Sequence, residues 1–261
     1  MLPPLALPDA DVHLWLFPLD AAAETIAVLS AYLAPGEQER AARFRHADDV
    51  RRYRVARGAL RVLLARYLGE APGAIRFVYG LHGKPALAPE PAHVDLQFNL
   101  SHSGDVALAA FCIGRSIGVD LERADRTVDA LALAGRYGSV RERAMLEALD
   151  PGARSRRFIE LWTCKEAWLK ATGLGITAGL ANVDIELSGA RPRVLRLPEG
   201  EGPASDWSLA VVAAAVDLAA AVAVRDPNHE IGDVADRHAA PLVPGLVAEC
   251  LSLTLRARSR Q

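Results

Sequence analysis

Residues 12–17 place bulky apolar side chains at the spacing of a β-strand and predict a first strand there. From residue 35 the period becomes helical. Val55, Leu60, Leu63, Leu64 and Tyr67 fall on one face, so residues 35–68 predict a long helix that Gly69 closes, because glycine tolerates the left-handed conformation that ends a helix. Short apolar runs at residues 75–79, around Leu87, and at residues 96–100, 106–112 and 117–121 are separated by turn residues and predict strands. A second cycle follows, with helices over residues 131–149 and 155–172 parted at Pro151-Gly152. It continues with strands over residues 182–187, 194–197, 207–212 and 219–225. The pattern is that of an α+β chain built of two similar α/β halves, residues 1–115 and 116–226, although no clean sequence repeat relates them. Residues 227–261 carry further Pro and Gly breaks and predict a peripheral C-terminal extension, a helix followed by a frayed tail.

Composition narrows the picture. The 261 residues are 51% hydrophobic and 24% charged, which is enough apolar material for a large core and incompatible with a disordered chain. A formal charge of −2 speaks against a nucleic-acid-coating surface. The most apolar later stretch, residues 209–224, is interrupted by Asp217 and too short to span a bilayer, and the N-terminus lacks the basic region of a signal peptide. Cys112, Cys164 and Cys250 are widely scattered, so neither a disulfide framework nor a zinc knuckle is expected. These features predict a soluble cytoplasmic protein with no nucleic-acid or membrane partner. Of the thirty basic residues only Lys84, Lys165 and Lys170 are lysines, and a compact ammonium suits a phosphate or proton-transfer site.

Three segments could carry chemistry. In GVDLE, Asp120 and Glu122 stand two apart at the end of a strand run, so both carboxylates project from one face. They suit either a hard cation such as Mg²⁺ or a solvated strand end. In FIELWTCKEAWLKATG, residues 158–173, Lys165 falls within the apolar arc, where it either snorkels to solvent or meets a partner. Glu166 and Lys170 lie four apart at the edge of that arc, as a functional pair or as an ordinary surface ion pair. In FNLSHSGD, residues 98–105, the polar run after a strand predicts a loop bearing Ser101 and His102. Nearby, Gly83 and Pro85 fix Lys84 on a turn, and Arg40, Arg43 and Arg52 belong to a crowd of arginines able to bind phosphate. The chain has no G-x-G-x-x-G, Walker, H-E-x-x-H or G-x-S-x-G motif.

Taken in order, GKP, FNLSHS, GVDLE and WTCKEAWLK resemble the surfactin-type 4′-phosphopantetheinyl transferases over about residues 40–175. The resemblance implies two similar α+β halves with coenzyme A and Mg²⁺ in the cleft between them. It further implies a monomer that transfers phosphopantetheine from coenzyme A to a serine of an apo acyl or peptidyl carrier protein of fatty-acid, polyketide or nonribosomal-peptide synthesis, releasing adenosine 3′,5′-bisphosphate. Carried over by motif, Asp120, Glu122 and Glu166 hold the metal, Lys170 contacts the pantetheine-side phosphate and His102 a coenzyme A phosphate. Ser101, Lys84 and Pro85 hold the nucleotide. Arg52, with Arg40 or Arg43, lies near the 3′-phosphate, and Glu142 is a further acidic position. Glu166 is also the implied base, with Lys165 orienting it. Cys164, Trp168 and Tyr137-Gly138 depart from the family pattern. Two other readings are a Mg²⁺-dependent phosphohydrolase acting on a nucleotide pyrophosphate and a non-catalytic coenzyme A-binding paralogue. An acidic carrier would be steered by Arg123, Arg126 and Arg136 around Leu131 and Leu133.

Overall fold

A computed structural model describes residues 3–90, 94–175, 179–187, 191–213 and 216–258. Twelve strands and six α-helices follow one another among these residues. The first half runs β1 (Asp11–Pro18), α1 (Ala23–Ala31), α2 (Pro35–Ala42), α3 (Ala47–Leu68), β2 (Phe77–Tyr79), β3 (Pro85–Leu87), β4 (Leu96–Ser103) and β5 (Val106–Ile113). The second runs β6 (Ile117–Arg123), α4 (Ala130–Tyr137), α5 (Val140–Glu147), α6 (Pro151–Thr172), β7 (Asp184–Glu186), β8 (Arg193–Arg196), β9 (Trp207–Val212) and β10 (Leu218–Arg225). The hairpin β11 (His229–Val243) and β12 (Leu246–Ala257) completes the chain's strands.

Two antiparallel sheets stack between layers of helix. The five-stranded sheet has the order β11-β12-β1-β5-β4 and the three-stranded sheet the order β6-β10-β9. Alternation of side chains decides what each face meets. Trp15, Phe17, Phe111 and Cys250 point to Leu60, Leu63 and Leu64 of α3. Their neighbours Leu14, Leu108, Leu251 and Leu253 point the other way, onto Val119 and Val222 of the smaller sheet. The far face of that sheet, through Ala221 and Ala223, packs under Cys164 and Trp168 of α6. Each fully buried leucine or valine contributes about 1.5–3 kcal/mol of burial free energy, so this four-layer arrangement is held mainly by apolar packing.

Several elements differ from their sequence-based expectation. The single helix expected over residues 35–68 is two, because the chain leaves helical geometry after Ala42 and re-enters at an extended His46, with Asp48 and Asp49 in the first turn of α3 favouring its N-terminus. Gly69 does close α3, with φ of 71°. The helix expected over residues 131–149 is likewise two. Ser139 caps α5 in a reciprocal box with Glu142, which restarts the helix. Pro151-Gly152 opens α6 rather than breaking a helix, since proline is at home in a first turn. The run at Ser101 and His102 is not a loop but the end of β4.

The largest correction concerns residues 227–261. They form no peripheral helix: β12 lies inside the five-stranded sheet, paired with β1 on one side and β11 on the other. The reason is the period of two in LSLTL, residues 251–255, which buries Leu251, Leu253 and Leu255 against the smaller sheet. Residues 259–261 of the expected tail lie outside the described residues. Among the described residues no helix is long and apolar enough to cross a membrane.

The junction between β10 and the hairpin is fixed by buried Asp226. Its carboxylate accepts from Arg115 Nε and from the backbone N–H groups of Asn228 and His229 at 2.8 and 3.0 Å. Burial works to raise this carboxyl, but those donors outweigh it and hold its pKa at about 2. A depressed pKa adds stability above the unfolded value of about 3.9, and that contribution is lost as pH falls toward the folded value. Asp226→Asn is therefore expected to lower the urea midpoint at pH 7, and the gap to wild type should close as pH falls from about 4 to about 2. A gap that stays constant across that window would show that the charge contributes nothing.

Candidate active site

The site begins at the edge where β4 passes β6. Asn99, Ser101 and Ser103, alternate residues at the end of β4, reach across. Asn99 Oδ1 accepts from Val119 N at 2.9 Å, where a paired strand would have offered a carbonyl. Ser101 Oγ donates to Asp120 Oδ1 at 2.9 Å. Ser103 Oγ donates to Glu122 Oε2 at 3.2 Å and accepts from Arg123 N at 3.2 Å. In β6 the residues alternate in the same way. Val119 and Leu121 enter the core between the sheets, while Asp120 and Glu122 are left on the face toward α6.

Helix α6 comes unusually close to that face. A Cβ on Gly118 would sit 2.1 Å from Ala167 O and 2.3 Å from Ala171 N, so only glycine fits. The approach sets Lys170 Nζ 2.5 Å from Asp120 Oδ1 and 2.8 Å from Ser101 Oγ. Asp120 is buried, and its other oxygen, Oδ2, has no hydrogen-bond partner among the described residues; the same holds for Glu166 Oε1. Burial raises the Glu166 pKa, Asp120 and Glu122 raise it further, and Lys170 opposes them.

Three carboxylates against the Lys170 ammonium and the Arg126 guanidinium still leave an excess of negative charge in a partly dry place. That donor set fits Mg²⁺, which takes hard oxygen ligands. The buried orphan oxygens of Asp120 and Glu166 are the specific observation in favour, because such atoms cost free energy unless something occupies them. Among the described residues no group of three or more His, Cys, Asp or Glu side chains stands close enough together to hold a metal ion without rearrangement. Lys170 and Ser101 hold Asp120 Oδ1, while Ser103 and Arg126, the latter at 3.4 Å, hold Glu122 Oε2.

His102 follows Ser101 on β4 and is solvent-accessible. Partial enclosure, with the Lys170 and Arg52 cations close by, lowers its pKa and favours the neutral ring at pH 7. Arg52 and Arg51 converge on Asp105 in the β4–β5 turn, each at 2.9 Å. Arg40 and Arg43 stand elsewhere, on a cavity of about 920 Å³ between α2, α3 and β2, lined also by Tyr53, Phe77 and Tyr79. None of Asp120, Glu122 and Glu166 lines this cavity. Of the arginines lining it, Arg61 is held by buried Glu37 at 2.7 Å and Arg76 by Glu90, so Arg40 and Arg43 are the ones left without an ion pair among the described residues.

Two of the three lysines point away from solvent. Lys84, beside Pro85, sends Nζ to Ala171 O at 2.7 Å and Ile117 O at 3.2 Å. Lys165 does not snorkel, and its ammonium bonds groups other than Glu166. Its ammonium is spent on Glu142 Oε2 at 2.5 Å and on the carbonyls of Tyr137, Leu180 and Val183 at 2.8–3.0 Å. Glu142 in turn accepts from Ser139 N at 2.7 Å and Ile185 N at 2.8 Å, so this acidic position ties α5, α6 and β7 together. Burial lowers the Lys165 pKa and Glu142 opposes it. Asn99 and Ser103 are seam residues that sequence reasoning missed, while Arg126, expected to face an acidic carrier, pairs with Glu122. For the first two the available signal was polar residues at a spacing of two.

Removing one member of a buried pair leaves the other charge uncompensated. Lys165→Met is expected to cost about 3–5 kcal/mol of stability in chemical denaturation, and Lys165→Met with Glu142→Leu less than the two single changes summed. A loss under about 1 kcal/mol for Lys165→Met would reduce the pair to the worth of an exposed one.

Comparison with known proteins bears on both halves. Residues 116–223 match the 4′-phosphopantetheinyl transferase superfamily, and residues 20–113 match the N-terminal region of 4′-phosphopantetheinyl transferase. The chain is 41% identical to the 4′-phosphopantetheinyl transferase HetI of Nostoc sp., over 85% of this chain and 91% of that protein. It is 30% identical to a 4′-phosphopantetheinyl transferase of Bacillus subtilis, over 73% and 86% of the two chains. It is 29% identical to the 4′-phosphopantetheinyl transferase Sfp of Bacillus subtilis, over 66% and 75%. With these relatives and the family match on both sides of the β4–β6 seam, the chain belongs to the 4′-phosphopantetheinyl transferase superfamily, whose members are enzymes that load carrier proteins with phosphopantetheine.

Proposed function

We propose that the chain performs Mg²⁺-dependent transfer of 4′-phosphopantetheine from coenzyme A to the serine hydroxyl of an apo acyl or peptidyl carrier protein. Asp120, Glu122 and Glu166 hold the metal. The observation that carries this reading is the pair of buried orphan oxygens, Asp120 Oδ2 and Glu166 Oε1, beside the Lys170 ammonium. When bound, Mg²⁺ supplies positive charge against the diphosphate oxygens.

The serine Oγ attacks the phosphorus nearest pantetheine. The bond from that phosphorus to the bridging oxygen breaks, and adenosine 3′,5′-bisphosphate leaves with the electron pair. Lys170, already directed into the site by Asp120 and Ser101, donates to the phosphoryl oxygens as their charge grows. His102, kept neutral at pH 7, can donate one N–H to a neighbouring phosphate oxygen. Glu166 takes the serine proton, directly or through a water, and its raised pKa brings it nearer to a useful base. Arg52, with Arg40 or Arg43 on the α2–α3 cavity, binds the 3′-phosphate end, and Pro85 walls the nucleotide.

The proposal includes a cytoplasmic monomer. Cys112, Cys164 and Cys250 are buried free thiols, which suits a reducing compartment. The edge strand β11 carries register irregularities at residues 231–234, 234–236 and 241–243 and exposed charges at Asp233, Asp236 and Arg237, features that blunt edge-to-edge pairing.

Intact-mass measurement of an apo carrier incubated with the enzyme, coenzyme A and Mg²⁺ is expected to show the gain of one phosphopantetheine arm and an equal amount of adenosine 3′,5′-bisphosphate. Phosphopantetheine released to solvent would mean a hydrolase, and no turnover a coenzyme A-binding paralogue. In the same assay Lys170→Ala should lower kcat by about 10²–10³. Lys170→Arg should restore it only partly, since a planar fork does not replace a point charge. An unchanged kcat in Lys170→Ala would reduce the Lys170 contacts to a structural ion pair.

A further inference from the structure

Lys84 directs its ammonium to backbone carbonyls within the protein. It sits at the end of the tight turn joining β2 to β3, where Gly80 N donates to Lys84 O at 2.9 Å and Gly83 N to Gly80 O at 2.9 Å. Gly83, with φ of 79°, allows that turn. From there the side chain runs inward. Its Nζ donates to Ala171 O in the last turn of α6 and to Ile117 O at the start of β6. Gly173, which caps α6 with φ of 76°, lies against the Lys84 stem, where a Cβ would meet Cδ at an ordinary contact distance of 3.4 Å.

The two carbonyls are not arbitrary. Ala171 directly follows Lys170, and Ile117 stands three residues before Asp120. The end of a helix carries partial negative charge on its unsatisfied carbonyls, so an ammonium is favoured there. Burial lowers the pKa of Lys84 to about 8, which leaves most of it charged at neutral pH.

One cation from the first half therefore ties together the ends of the two elements of the second half that carry the site. We infer that Lys84 is a positioning residue for the transfer: by bridging Ala171 O and Ile117 O it fixes α6 against β6 and so sets the contact between Lys170 and Asp120. The inference rests on the transferase reading above. Its consequence is kinetic. A loosened seam misplaces Lys170 in the transition state, whereas a nucleotide ligand would show itself in the affinity for coenzyme A.

The test compares wild type, Lys84→Met and Lys84→Arg by steady-state transfer to an apo carrier, varying coenzyme A, with folding checked by near-ultraviolet circular dichroism. Transfer by wild type secures the reading on which the inference rests, and its absence would fail that reading first. Given transfer, Lys84→Met is expected to lower kcat roughly 10–100-fold with KM for coenzyme A within about twofold, the scale of a misplaced reacting group. Lys84→Arg is expected to recover part of kcat, since a guanidinium can still reach both carbonyls. A rise in KM for coenzyme A that accounts for the loss in kcat/KM would overturn the inference, and so would unchanged values of both. If Lys84→Met does not fold, Lys84→Arg decides alone: a lowered kcat at constant KM supports the positioning role, and any other outcome overturns it.

Discussion

Everything at the candidate site depends on how an ammonium is held at the edge between two sheets. Lys170 Nζ, Ser101 Oγ and Asp120 Oδ1 are mutually within 2.9 Å, and they come from α6, β4 and β6 respectively. Ser101 accepts from the lysine and donates to the aspartate, so the three form a closed hydrogen-bonded set. The lysine does not neutralise its surroundings. Glu122 and Glu166 add two more carboxylates, and the orphan oxygens of Asp120 and Glu166 mark where further positive charge is needed. A diphosphate substrate would meet an ammonium and a metal in a place that excludes part of the water, which strengthens both.

The rest of the fold can be understood as what keeps that set in place. Gly118 gives up its side chain so that α6 can lie on β6. Lys165, one residue before Glu166, is buried and pinned to Glu142 and three carbonyls, which fixes the rotation of α6 about its own axis. On the other side, β4 is held by β5, β5 by β1, and β1 by β12. The C-terminal hairpin is thus part of the scaffold for Ser101. A buried ion pair such as Lys165–Glu142 is an expensive way to gain stability, and specifying one helix orientation is its clearer use.

Much of the chemistry was legible in the sequence. The two-residue spacing of Asp120 and Glu122 put both carboxylates on one face, and the four-residue spacing of Glu166 and Lys170 put both at one helix edge; the strands and helix lie as that spacing requires. The exchange was poorer where one residue's role depended on distant chain. Lys165 lies within an apolar arc, but only the fold brings Glu142 to it. Ser101 and His102 read as loop because a polar run usually is one. Here polar residues alternate for the same reason that apolar ones do elsewhere, since a neighbouring strand lies on that side. The hairpin at residues 229–257 was obscured by Pro and Gly, although Leu251, Leu253 and Leu255 carried a strand period throughout. Short α1 left no clear trace, its residues AETIAVLSA being apolar nearly all round rather than on one face.

The central claim is that Lys170 and Ser101 act as one unit across the seam. A double-mutant cycle on kcat/KM, using Ser101→Ala, Lys170→Ala and the double variant, measures this directly. If the unit is real, the effects are non-additive by about 0.5–3 kcal/mol, with the double variant little worse than Lys170→Ala alone. Effects that sum to within about 0.3–0.5 kcal/mol would show two independent residues and contradict the account.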